Sequence, residues 1–175
     1  HAVDLLIEEA RRRPGEVTLV ALGPLTNVAL AVQREPDLPL LLRRLVIMGG
    51  SYRSSGNTAP TTEWNVSVDP DAAQVVFNAF GASADAPRPT ALGLDVTERA
   101  RFTPEHMTRL ARRSGSQPND AILGDEDVRP FGPEPRSVAS KSNVRFIADA
   151  LRFYMEFHSR YDGFYGAFIH DPLAL

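Results

Sequence analysis

The chain has 175 residues, 43% hydrophobic and 23% charged, so it holds enough apolar side chains for a real core and is not disordered by composition. Its 19 basic and 22 acidic residues leave a formal charge of −3, which argues against nucleic acid as a partner. Without cysteine there are no disulfides, thiolate metal sites or cysteine nucleophiles, and only oxygen and nitrogen ligands remain.

Val3, Leu6 and Ile7 share one helical face in an opening helix that stops at Arg13-Pro14-Gly15. The run Arg11-Arg12-Arg13 reads as the basic C-terminal end of that helix. Val17 to Leu22 is a nearly continuous apolar run, the pattern of a strand covered on both faces. Gly23-Pro24 breaks it, and Leu25, Val28, Ala29 and Val32 give helical spacing up to Glu35-Pro36. After a short Leu-rich helical piece, Arg44 to Met48 predicts a second buried strand closed by Gly49-Gly50, where the backbone can take positive φ or approach a ligand.

Ser51 to Thr62 is polar and predicts a loop, whereas Asp69-Pro70 predicts an N-cap and first turn ahead of Ala72, Val75, Val76 and Phe77. A third strand is expected over Thr90–Val96, and a helix from Thr103-Pro104-Glu105 to Ser114-Gly115. Residues 116–139 lack periodicity and read as a mobile loop, either a lid or a surface insertion. Val144, Ile147, Ala148, Leu151 and Met155 mark one face of a last long helix, which leads to Tyr161 and an aromatic-rich loop before His170. Strands alternating with helices predict one α/β domain over 1–175: an open, mainly parallel, Rossmann-like sheet with helices on both faces. Ligands of such sheets gather beyond the C-terminal strand edge, where Leu22-Gly23, Met48-Gly49-Gly50 and Asp95 fall.

Two groups of residues carry chemistry. His170-Asp171 pairs a proton donor with an oxygen ligand for a hard cation, and Glu63-Trp64-Asn65, following Asn57, suits the gripping of vicinal hydroxyls. Together they suggest chemistry on a sugar. Each has an ordinary alternative: a buried structural histidine, a helix-capping aspartate, a surface salt bridge for Glu63, and simple turn chemistry for Gly56-Asn57.

The ordered series Ala21-Leu22-Gly23-Pro24-Leu25-Thr26-Asn27, Ile47-Met48-Gly49-Gly50, Gly56-Asn57, Glu63-Trp64-Asn65, Asp69-Pro70-Asp71-Ala72-Ala73, Gly93-Leu94-Asp95-Val96-Thr97 and His170-Asp171-Pro172-Leu173-Ala174 resembles the inosine–uridine-preferring nucleoside hydrolase family. The resemblance implies cleavage of the N-glycosidic bond of ribonucleosides by a Ca²⁺-bound water. It further implies a homo-oligomer in the parent protein and a role in purine or pyrimidine salvage. Asp171 would be a calcium ligand and ribose contact, and Leu22 would offer a backbone carbonyl to the same ion. Asn57, Glu63 and Asn65 would hold ribose hydroxyls, Met48 would line the sugar pocket, and His170, assisted by Tyr161, would protonate the departing base.

The family's Asp-x-Asp-x-x-x-Asp-Asp signature is not found in this chain, and both His1 and Leu173-Ala174-Leu175 read as cut ends. The expectation is therefore an incomplete domain, inactive in isolation, with weak or absent Ca²⁺ binding; a non-catalytic nucleoside- or sugar-binding domain is the competing class. No apolar run reaches the roughly 20 residues needed to span a bilayer and no signal sequence opens the chain, so no membrane partner and a cytoplasmic location are expected.

Overall fold

The computed structural model describes residues 1–116 and 139–175, so the expected mobile loop at 116–139 lies, apart from its two end residues, outside the described part. The described chain divides into two compact units, one of residues 1–99 and 170–175 and the other of residues 100–169.

The first unit opens with α1 (Ala2–Arg12), β1 (Thr18–Ala21), α2 (Thr26–Arg34), α3 (Leu38–Leu41) and β2 (Arg44–Met48). It continues with α4 (Trp64–Val68), α5 (Pro70–Ala82), β3 (Thr90–Leu92) and α6 (Leu94–Thr97). The strands form a three-stranded parallel sheet in the order β1-β2-β3, with Leu19 opposite Leu45 and Ile47 opposite Ala91.

Because side chains alternate along a strand, the sheet sorts its residues into two cores. Leu19, Ala21, Leu45, Ile47 and Ala91 pack with Val3, Val28, Val32, Leu38, Val76 and Phe80 of α1, α2, α3 and α5. Val20, Leu22, Val46, Met48 and Leu92 face a smaller cluster with Leu94 of α6 and Ala174 of α9 (His170–Ala174). Helices thus cover both faces, and the fold is α/β as expected.

Two strand expectations need correction. Leu19, Val20 and Ala21 are covered on both faces but only partly buried, because β1 is an edge of the described sheet and its second face meets the smaller core. The strand expected over Thr90–Val96 ends at Leu92. There the Leu94 N–H donates to Gly50 O at 2.9 Å and Asp95 Oδ1 accepts from the Tyr52 N–H at 3.2 Å, which turns residues 94–97 into a helix instead.

Other local readings hold. Asp69 caps α5, accepting from the Ala72 N–H at 3.0 Å, with Pro70 in the first turn. The Thr26 hydroxyl, then that N–H, hold the Asp69 carboxyl below its usual range.

The second unit holds β4 (Arg101–Phe102), α7 (Pro104–Arg113), α8 (Ser142–Tyr161) and β5 (Ala167–Phe168), with β4 and β5 antiparallel. Thr103 and His106 cap α7 reciprocally. Met107, Ala111, Val144, Ala148, Met155 and Ala167 form its core, whereas Ile147 is exposed. His158 of α8 is also buried: its Nδ1 lies 2.6 Å from Asp162 Oδ2, and the rings of Tyr154, Phe157, Phe164 and Phe168 surround it.

Candidate active site

The C-terminal ends of β1, β2 and β3 lie side by side, and α4 sits against the first two through one side chain. Asn65 Nδ2 donates to the Met48 carbonyl at 3.1 Å and to the Leu22 carbonyl at 3.4 Å, and lies 3.4 Å from Met48 Sδ. Both amide hydrogens are thereby engaged by the strand ends, and Oδ1 is left as the acceptor this residue can offer a ligand.

Why a helix starts at Trp64 is answered by its first three N–H groups, which no helical carbonyl can satisfy, followed by the first i→i−4 bond of the helix. The Trp64 N–H donates to Asn57 Oδ1 at 2.9 Å, that of Asn65 to Glu63 Oε1 at 2.7 Å, that of Val66 to Glu63 Oε2 at 3.1 Å, and that of Ser67 to the Glu63 carbonyl at 2.9 Å. Glu63 Oε2 also accepts the Gly50 N–H at 3.0 Å. Glu63 is 3% exposed, and its partners are backbone N–H groups rather than a cation, which removes the surface-salt-bridge alternative. Gly50 itself sits at φ +87°, a conformation that favours glycine, so the turn after β2 can aim its N–H at the carboxylate.

Asn57 is exposed in a tight loop, its N–H donating to Thr62 O at 3.1 Å. A Cβ on Gly56 would lie 2.2 Å from Ala59 O and from Thr62 N, distances no packing adjustment of a side chain can relieve. Gly56→Ala is therefore expected to rebuild this loop, release Asn57 from Trp64 and lower the melting temperature; an unchanged melting curve with unchanged activity would contradict that role.

On the other face, α9 brings His170 and Asp171 back to the first unit. His170 is partly buried with Nδ1 2.7 Å from Thr97 Oγ1, and Thr97 is fully buried. Asp171 is exposed in the first turn of α9. Met48 is 3% exposed, its side chain within the core shared with Leu94 and Ala174, so what it presents at the edge is chiefly its carbonyl. Tyr161 belongs to the second unit, exposed at the end of α8 against the Phe157 ring at 4.7 Å.

Thr97 and Tyr52 take part in this geometry although sequence reasoning gave them no role. Thr97 closes the Gly93–Thr97 motif, and its place in that motif was the available signal. Nothing in the sequence marked Tyr52.

The family model described as inosine-uridine preferring nucleoside hydrolase matches residues 1–175. The chain belongs to the inosine-uridine preferring nucleoside hydrolase family. Among relatives in this family, the chain is 37% identical over 175 residues to a pyrimidine-specific ribonucleoside hydrolase of Enterobacter, covering 99% of this chain and 45% of that protein. It is 34% identical to an inosine-uridine preferring nucleoside hydrolase of Leishmania major, covering 100% of this chain and 45% of the relative. The solved purine-preferring ribonucleoside hydrolase of Gardnerella vaginalis superposes with a TM-score of 0.74 at 27% identity, over 98% of this chain and 45% of that one. The chain thus spans less than half the length of the nucleoside hydrolases it matches.

Calcium usually takes six to eight oxygens, yet among the described residues no group of three or more His, Asp or Glu is placed to hold a metal ion. The Leu22 carbonyl, moreover, already faces the Asn65 amide. These residues do not by themselves fit a calcium shell. Calorimetry on the isolated chain is expected to give weak or no Ca²⁺ binding, and tight stoichiometric binding would require ligands other than Asp171 and Leu22.

Proposed function

We propose that the protein hydrolyses the N-glycosidic bond of ribonucleosides, a water adding to the anomeric carbon as the C–N bond breaks, to give ribose and free base, with the sugar seated at the C-terminal strand edge. The observation that supports this most is the Glu63-Asn65 step: a buried carboxylate and an amide are anchored to the ends of β1 and β2, where α/β sheets receive ligands.

Breaking a ribosyl C–N bond builds positive charge on the sugar, so carboxylates facing it stabilise the transition state more than the ground state. Glu63 and Asp171 have that charge. Asn65 Oδ1 and Asn57 supply polar contacts for sugar hydroxyls, and the strand-end backbone fixes their positions. His170, its ring oriented by Thr97, delivers a proton to the departing base. The Met48 carbonyl closes the floor of the sugar site.

The test is ribose release from inosine and uridine by the intact protein, followed as reducing sugar alongside chromatography of the free base. Equimolar ribose and base are expected. A second reading is a non-catalytic nucleoside-binding domain on the same fold. It predicts saturable nucleoside binding with no release of ribose, and that outcome from the intact protein would overturn the hydrolase reading.

A further inference from the structure

Tyr52 stands at the junction of the β2 and β3 ends, held there by its backbone, with a phenol that has no part in the chemistry assigned to Glu63, Asn65, His170 and Asp171. Its ring lies directly over two glycines: a Cβ on Gly50 would fall 3.0 Å from its Cζ and Oη, and one on Gly93 would fall 2.7 Å from its Cδ2. Its backbone N–H donates to Asp95 Oδ1 at 3.2 Å, which pins the residue from the β3 side. Through Gly50 it also neighbours the proposed sugar site, since the Gly50 N–H is the group that Glu63 Oε2 accepts at 3.0 Å. The residue as a whole is nonetheless 57% exposed, so the ring leans on backbone with one side and opens to solvent with the other.

We propose that Tyr52 is a substrate-binding, specificity-determining residue, whose hydroxyl donates a hydrogen bond to one ribose hydroxyl held beside Glu63. This rests on the nucleoside hydrolase reading of the same edge. Glu63 and Asp95 are acceptors when ionised, as is Asn65 Oδ1, so a sugar hydroxyl there finds several acceptors and needs a donor. The phenol is that donor. A phenol is protonated at neutral pH in any case, and burial, then the Asp95 and Glu63 charges, push its ionisation further up. An aromatic ring with two torsions, braced on two glycines, also gives up little entropy on binding.

The experiment compares the intact wild-type protein with Tyr52→Phe on a ribonucleoside and on its 2′-, 3′- and 5′-deoxy analogues. The ring stays in place, so the melting temperature is expected to hold. The kcat/KM on the ribonucleoside is expected to fall about 2- to 13-fold, the worth of one uncharged hydrogen bond, and the wild-type preference over one deoxy analogue to shrink by the same factor. If the variant keeps the wild-type discrimination against all three analogues, or loses the same factor on all four substrates, the proposal is overturned. If the wild-type protein releases no ribose, the hydrolase reading itself has failed, and the role of Tyr52 fails with it.

Discussion

Replacing His170 by alanine in the intact protein is expected to slow hydrolysis of a natural nucleoside by about 10²–10⁴-fold, the contribution of one positioned general acid, and to spare a nitrophenyl riboside. The natural base leaves poorly without a proton, whereas nitrophenolate leaves as an anion and asks nothing of an acid. Asp171→Ala is expected to damage both substrates, because a carboxylate at the sugar opposes charge that develops whatever the leaving group. Thr97→Val provides the control on geometry: it keeps the imidazole but removes the oxygen 2.7 Å from Nδ1, so it should resemble His170→Ala in kind and be milder in degree. Parallel recovery of the His170 and Asp171 variants on the activated substrate would show that the two residues do not divide the work in this way.

The second large effect is one of stability. Glu63 accepts three backbone N–H groups on two oxygens while almost fully buried. Hydrogen bonds to a charged group contribute about 1.5–3 kcal/mol each, and an orphaned buried donor costs about 1–3 kcal/mol. Glu63→Ala is therefore expected to lose on the order of 3–5 kcal/mol in urea unfolding, non-additivity included. Glu63→Gln should recover little of this, since an amide offers one oxygen and turns an N–H₂ group toward donors on the other side. A Gln variant within about 0.5 kcal/mol of wild type, the range of an ordinary surface substitution, would mean that the carboxylate is not what ties Gly50 to α4.

The sequence made much of this architecture legible because several elements carry signals that do not depend on distant contacts. β2 matches its apolar run from Arg44 to Met48, since a central parallel strand must be apolar on both faces. The start of α5 was readable from Asp69-Pro70, where capping chemistry is local. Residues 94–97 were misjudged because Leu94-Asp95-Val96-Thr97 has strand-like composition, and what bends it is a long-range bond to Gly50. α4 was missed for a related reason. Its cap is a glutamate rather than the usual short polar residue, and its second support, Asn57, lies seven positions earlier. β4 and β5, two residues each, are too short for any periodicity to declare. At the site, the residue types at Glu63, Asn65 and His170 suggested their chemistry, but the partners that orient them, Gly50, Met48 and Thr97, depend on the folded chain.

The bond between His170 and Thr97 joins residues 73 positions apart, with the whole of the second unit strung between them. Contacts of such separation form only after nearer ones have met their entropy cost, so this corner of the protein is expected to assemble late in folding. Its tolerance is the reverse of its tardiness. Closure entropy grows with the logarithm of length, and doubling the intervening chain would cost only about 0.6 kcal/mol. Evolution can therefore lengthen, trim or rewrite residues 100–169 while leaving His170 anchored where the chain returns.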